Sequence, residues 1–420
     1  MVARSGLTLL CAAAALAAAP PTFHRDVEPI LQRRCQGCHR PGEIGPFPLL
    51  TYADARPRAR AIREALLKRT MPPWFAAKAS HPFANDPTLS PPEREALLAW
   101  TNTGAARGNP DDAPPPVTFT QGWNIPPPEA TFDTLTDFNV PAQGALDYMH
   151  FVIPTGFDRD RWVEAVEVRP SYRAAVHHAV VYLRPPGSAW LAHVKPGRPG
   201  AAHRNGPGQG RAEVLTVYAP GMTPDRWPEG AAKLLPKGWD IILQLHYTTT
   251  GVAGRDRTRI GLRFARAPVT HRVVTMSMRN LALNIPPGEP NYRAEGRGFL
   301  PEHAEILSFF PHMHLRGKAF EYRAIHPDGT SEVLLRVEPY RFHWQLAYRL
   351  ATPLALPAGT RLECSAWYDN SPNNPDNPDP SATVRWGEQS WDEMLAGFFD
   401  LRYPAQLTLE ELFGQPVTRP

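Results

Sequence analysis

The stretch AAVHHAVVY, residues 174–182, sets two histidines side by side inside a run that otherwise reads as a buried strand. Neighbouring side chains on a strand point to opposite faces, so an undisturbed strand would turn one of His177 and His178 away from whatever the other serves. Two adjacent imidazoles reach one point only where the strand bulges or ends. The same strand grammar extends outward from this stretch. RWVEAVEVRP (161–170), DIILQLHYTTTG (240–251), RIGLRFARAP (259–268), RVVTMSM (272–278), AEILSFFPHMH (304–314), FEYRAIHPDG (320–329) and GTRLECSAWYDNS (359–371) are short runs between proline and glycine turns. That spacing predicts β-sandwiches. The 49 prolines among 420 residues agree, because proline is hard to place in helices or central strands.

The first quarter of the chain reads differently. Arg4, the apolar run LTLLCAAAALAAA (7–19) and Pro20–Pro21 form a charged-then-apolar segment ending in small residues, which predicts an export leader over residues 1–19 and a periplasmic or secreted protein. The run is too short to span a bilayer, and no later segment is long and apolar enough to do so. RDVEPILQRRC (25–35), ADARPRARAIREALLKR (53–69) and SPPEREALLAWTNTG (90–104) carry helical periodicity. In the last of these Ser90 caps, Pro91 suits the first turn, Glu93 closes a capping box and Gly104 stops the helix. Residues 20–108 are therefore predicted to form a helical domain. A proline-rich linker follows over 109–128, then one sandwich over 129–275 and a second over 276–420. The 45 basic and 41 acidic residues are mixed along the chain, net +4, which excludes a polyanion-binding stripe and a nucleic-acid partner.

CQGCH (35–39) has the spacing of a covalent haem attachment site: Cys35 and Cys38 for the thioethers, and His39 as the proximal iron ligand. Read as half a zinc site, it lacks a second cysteine pair. Met71 in RTMPPW (69–74) is either the second axial ligand or a packing residue. Further on, FFPHMHLRGK (309–318) holds His312 and His314 at i and i+2, on one face of a strand and able to share a metal. His246 lies in QLHY (244–247), in the same predicted sandwich as His177 and His178.

Residues 20–108 resemble a cytochrome c domain, with LLAWTNTGA (97–105) similar to its closing helix. From about Phe132 the chain resembles the copper type II, ascorbate-dependent monooxygenases, the group of peptidylglycine hydroxylating and dopamine β-monooxygenases. The matching pieces are HH (177–178), QLHY (244–247), IPPGEP (285–290), HMHLRGK (312–318) and WDEM (391–394), in that order. The resemblance implies an all-α cytochrome c-like domain followed by two tandem jelly-roll β-sandwich domains, each holding one copper. It implies one site of His177, His178 and His246, and another of His312, His314 and Met394. It departs from the peptide-amidating members at Phe310, Ala396 and Phe398, where they carry carboxylate-holding residues, so a peptidylglycine substrate is not expected.

The function expected on these grounds is hydroxylation of a C–H bond with dioxygen, using two copper ions and one covalent haem c. Catalysis would fall at His312, His314 and Met394, with a small-molecule substrate and a periplasmic electron donor as partners. The alternative is a periplasmic haem and copper electron-transfer protein without a substrate. Arg316 and Lys318 either attract an anion or are solvated. PNNPDNPDP (372–380) either shapes the pocket or is an exposed turn cluster. Cys364 stands unpaired.

Overall fold

The computed structural model describes residues 19–119, 122–201 and 213–413; all of the predicted leader except Ala19 lies outside them. Strand outweighs helix, and the chain divides into two units. The smaller comprises residues up to 41, 45–72 and 89–117, and the larger comprises 42–44, 73–88 and 118 onward.

Neither unit is the all-α, cytochrome c-like domain expected over residues 20–108. The smaller one holds short helices, Glu28–Arg34, Tyr52–Ala55, Ala59–Leu67 and Pro91–Asn102, separated by irregular chain, and it gives up Pro73–Thr88 to the larger unit. The reason lies in that segment's residues. Prolines at 73, 82 and 87 keep it from being helical, and Ala76–Ala79 pairs as a strand with Ser331–Val337. Phe75 is buried in the core of the larger unit and Trp74 packs on Tyr348 at 4.7 Å. Asn85 donates to Ala347 O at 2.8 Å and accepts from Arg349 N at 2.9 Å. What remains in the smaller unit is a modest core around Phe23, Leu31, Leu97 and Trp100. Its best-defined helix begins where Ser90 accepts from Glu93 N and the Glu93 carboxylate accepts from Ser90 N at 2.9 Å, a closed capping box.

The larger unit is β-rich with several sheets, and it is not built as two self-contained sandwiches in tandem. One sheet of nine strands runs in the order Ala130–Asp133, Arg259–Phe264, Arg161–Arg169, Ala231–Leu235, His271–Arg279, Ala396–Pro404, Glu305–His312, Tyr348–Ala355, with Asp225–Arg226 added on Arg161–Arg169. The His271–Arg279 strand crosses the expected boundary at residue 275 and joins the two halves, parallel to Ala231–Leu235 and antiparallel to Ala396–Pro404. A five-stranded sheet packs on each half. Gly200–Ala201, Met149–Pro154, Asp240–Tyr247, Val176–Arg184 and Glu213–Tyr218 enclose the core around Phe151, Val181, Leu243 and Ile260. Ala76–Ala79, Ser331–Val337, Gly317–Ile325, Arg361–Tyr368 and Tyr292–Phe299 enclose the core around Phe309, Phe320, Tyr322 and Leu401. In the second half, Ile306 and Phe309 enter that core, whereas the paired residues Phe310 and Phe398, and His312 and Ala396, lie outside it. Among the described residues no helix is long and apolar enough to cross a membrane.

Candidate metal centre

The ladder between Val176–Arg184 and Asp240–Tyr247 slips at one place. His246 lies opposite His178, and Tyr247 opposite Val176, which leaves His177 as an extra residue without a cross-strand partner. This bulge resolves the problem posed by period-2 alternation, because a bulge re-aims its side chains. His177, His178 and His246 converge, with candidate ligand atoms all within 4.8 Å of one another. Nδ1 of His177 stands 3.2 Å from Nδ1 of His178, and His246 Nε2 meets Ser390 Oγ at 3.2 Å. Tyr148 covers His246 at a ring separation of 4.6 Å.

The second group forms where the Glu305–His312 strand ends. His312 and His314 stand 5.2 Å apart between ring centres, nearly perpendicular. Met313 between them is clamped by the Tyr340 hydroxyl, which accepts from Met313 N at 2.9 Å and donates to Met313 O at 2.8 Å. The Glu393 carboxylate, fully buried, ties this turn to the Met394 segment. It accepts from His314 N at 2.9 Å, Arg316 N at 2.7 Å and Met394 N at 3.2 Å. Burial pushes the Glu393 carboxyl up to about 7, against the pull of those three N–H groups and Arg316. Met394 is half-buried, and its carbonyl accepts from Tyr368 Oη at 2.8 Å.

The two groups adjoin, with the rings of His178 and His312 5.7 Å apart. Burial is the leading cause lowering every one of the five imidazoles: His246 to about 3, His312 to about 4, and His177, His178 and His314 well below the usual value. All five are neutral at pH 7 and have lone pairs to offer. In the second group the nitrogens are sorted by their partners. His312 Nδ1 donates to Gln345 Oε1 at 2.7 Å and His314 Nδ1 to Asp392 O at 3.3 Å, leaving each Nε2 as the acceptor nitrogen. His314 Nε2, His177 Nε2 and His246 Nδ1 are buried without a hydrogen-bond partner among the described residues. Buried polar atoms are ordinarily satisfied, so three orphans in one cluster point to a group that the protein itself does not provide. Neutral imidazoles, with no carboxylate among the converging nitrogens, suit copper better than calcium or magnesium.

Next to His312 the wall is apolar. Phe310 is stacked 6.5 Å from His312, and Phe398 lies 6.0 Å from Phe310. Arg279 sits over Phe398 at 5.7 Å. Beyond the phenylalanines lies a cavity of about 30 Å3, room for about one water, whose lining includes Lys233, Asp225 and Asp400. Arg316 is neither solvated nor aimed at a ligand. It is buried, donating to Asn370 Oδ1 at 2.7 Å and Trp391 O at 2.9 Å. Asn370 in turn anchors the asparagine-rich loop to Pro286 O, Ala382 O and Asn377. Lys318 reaches Asn291 Oδ1 at 3.0 Å. Tyr340, Gln345, Ser390 and Glu393 join the site without having been expected from the sequence. Only Glu393 carried a signal, an acidic residue directly before Met394.

In the smaller unit, CQGCH closes as a turn in which Cys38 N and His39 N both donate to Cys35 O, at 3.1 and 2.9 Å. His39 Nδ1 donates to Phe47 O at 3.1 Å, which leaves Nε2 as its acceptor nitrogen. Gly45 packs so closely that a Cβ there would stand 2.7 Å from Cys38 O and 2.8 Å from His39 Cα. Burial pushes the Cys35 thiol up to about 12, and among the described residues Cys35 and Cys364 are in no disulfide. Two thiols beside a histidine of fixed tautomer fit covalent haem. Met71 is half-buried on the loop after the Ala59–Leu67 helix.

No family model and no curated protein matches the chain. Among solved structures, the major capsid protein P2 from bacteriophage PM2 aligns with 67% of this chain and 100% of its own, at 10% identity and a TM-score of 0.25. A VP2 subviral particle of infectious bursal disease virus aligns with 68% of this chain and 75% of its own, at 10% identity and a TM-score of 0.17. At such scores the likeness carries neither fold nor function. The resemblance to cytochromes c and to the copper type II monooxygenases is overturned: the described residues form no all-α domain, and no family model matches the chain.

Proposed function

We propose that the protein is an exported, copper-dependent oxidoreductase that hydroxylates a C–H bond of an apolar small molecule. The observation that supports this most is the convergence of five buried, neutral histidines in two adjoining groups, His177, His178 and His246 beside His312 and His314, with Met394 on the segment tied to the second. Copper held there supplies one-electron redox chemistry towards dioxygen. The protein's own groups keep the imidazoles neutral, hold the His312 proton on Nδ1 through Gln345, and set Phe310 and Phe398 as an apolar, water-excluding wall beside His312. Overall, R–H, O2, two electrons and two protons give R–OH and water. An external donor in the exported compartment would supply the electrons, and Cys35, Cys38 and His39 would hold a haem capable of one-electron carriage. Met71 is the proposed second haem ligand.

The test is isotopic. Copper-loaded, haem-bearing protein supplied with a reductant and 18O2 is challenged with apolar small molecules. One 18O atom per hydroxylated product, lost in His314→Ala, is the expected result. Oxygen consumption that is indifferent to every added substrate, with no label in product, would instead make the protein an electron carrier.

A further inference from the structure

The turn Tyr340–Gln345, sequence YRFHWQ, lies between the strands Ser331–Val337 and Tyr348–Ala355 and touches both histidine groups. Tyr340, Phe342 and Gln345 are buried, whereas Arg341 and His343 are exposed. Each buried side chain meets a different part of the cluster. The Tyr340 hydroxyl clamps Met313, between His312 and His314. The Phe342 ring stacks on His177 at 4.3 Å and 25°. Gln345 Oε1 accepts from His312 Nδ1 at 2.7 Å.

The geometry points to this turn as a positioning strut that fixes the rings of both histidine groups, with Gln345 setting the tautomer of His312. The inference deepens the copper reading and rests on it for its consequence, but not for its geometry. Gln345 Nε2 donates to Phe342 O at 3.2 Å, which fixes the amide's orientation and presents its oxygen, not its nitrogen, to His312. A turn that served only to pack would have no use for a glutamine at 1% exposure, since a buried amide costs stability unless its donors and acceptors are met. Here one hydrogen bond is spent within the turn and the other on a candidate ligand. The strut also accounts for the glycine of HLRGK. A Cβ at Gly317 would stand 2.7 Å from the Tyr340 ring and 2.9 Å from Met313 Cβ, so only glycine lets Tyr340 reach Met313. Outer partners of this kind orient a ligand imidazole and raise its basicity, and losing one typically costs about 10–100-fold in metal affinity.

The experiment uses the full chain with 15N-labelled histidine and compares wild type, Gln345→Leu and Gln345→Glu, with His312→Asn to assign the ring signal. In metal-free protein the His312 ring is expected as a single Nδ1–H tautomer in wild type and in Gln345→Glu, which keeps an acceptor oxygen, and as a mixture in Gln345→Leu. A pure Nδ1–H ring in Gln345→Leu would overturn the strut. Copper titration of the same samples then separates the two readings. A loss of about 10–100-fold at one of two copper sites in Gln345→Leu, restored in Gln345→Glu, is the expected result. Equal affinities in all three would overturn the strut's role in ligation. A tautomer shift in Gln345→Leu, with no copper taken up even by wild type, would leave the positioning established and defeat the copper reading.

Discussion

Lys233→Met tests the polar floor behind the Phe310–Phe398 wall. The Lys233 ammonium is buried and donates to Val214 O at 3.1 Å, Leu215 O at 3.0 Å, Thr275 Oγ1 at 2.6 Å and Asp400 Oδ1 at 3.3 Å. It thereby bonds the Glu213–Tyr218 strand to the nine-stranded sheet. Methionine fills nearly the same space, so little cavity energy enters. The loss is that of one partner in a buried pair, which leaves Asp400 with Thr275 at 2.5 Å as its remaining side-chain donor among the described residues; this costs about 3–5 kcal/mol. In a unit of this size that amounts to a fall in melting temperature of roughly 4–8 °C. Thermal denaturation of metal-free protein followed by circular dichroism measures it. The double variant Lys233→Met with Asp400→Leu removes the stranded charge as well, and is expected to regain more than half of the loss, since replacing both members of a buried pair by apolar residues is often near neutral. A Lys233→Met protein that melts within about 2 °C of wild type would refute the reasoning, because the ammonium would then be neither desolvated nor paired as described.

Three further outcomes are expected. His150, His246 and His312 keep their protons off in the folded state, with values pushed by burial to about 4, 3 and 4, whereas the unfolded chain binds protons near 6.5. Their contribution is therefore present above pH 6.5 and lost as pH falls towards 4, so the melting temperature of metal-free protein drops between pH 7.5 and 5; a constant or rising value would contradict this. Gly45→Ala drives a methyl group into Cys38 O and His39 Cα and costs about 1–3 kcal/mol, read as a lower unfolding midpoint of the smaller unit. Protein made in a host that attaches c-type haem carries one iron per chain, and Cys35→Ser with Cys38→Ser carries none; a wild-type chain without iron would remove the haem from the account.

The histidine cluster was partly legible in the sequence because its clues are local. Adjacent His177 and His178 violate the period of a strand, and the ladder slips at that point. His312 and His314 are two residues apart, so strand geometry alone places them together. What was not legible depends on contacts between distant segments of chain. Gln345 is 33 residues from His312, and Glu393 is 79 from His314 and 77 from Arg316. Nothing in a single glutamine or glutamate records which backbone it will meet. The same limit explains the misread first domain. Helical periodicity on both sides of Pro73–Thr88 suggests one continuous domain, but Trp74, Phe75 and Phe83 are apolar enough to serve either unit and pack against the core of the larger one. Strand alternation beyond residue 129 identified β structure, but it could not reveal that His271–Arg279 carries one sheet across both halves.

Copper in the paired histidine groups is open to elemental analysis. Full-length protein from an exporting host is saturated with copper, freed of excess metal and measured for copper, zinc and iron beside His314→Ala. Two coppers per chain, falling to one in the variant, are expected. A chain with no copper, or one in which zinc fills the same sites and resists exchange, would contradict the copper reading.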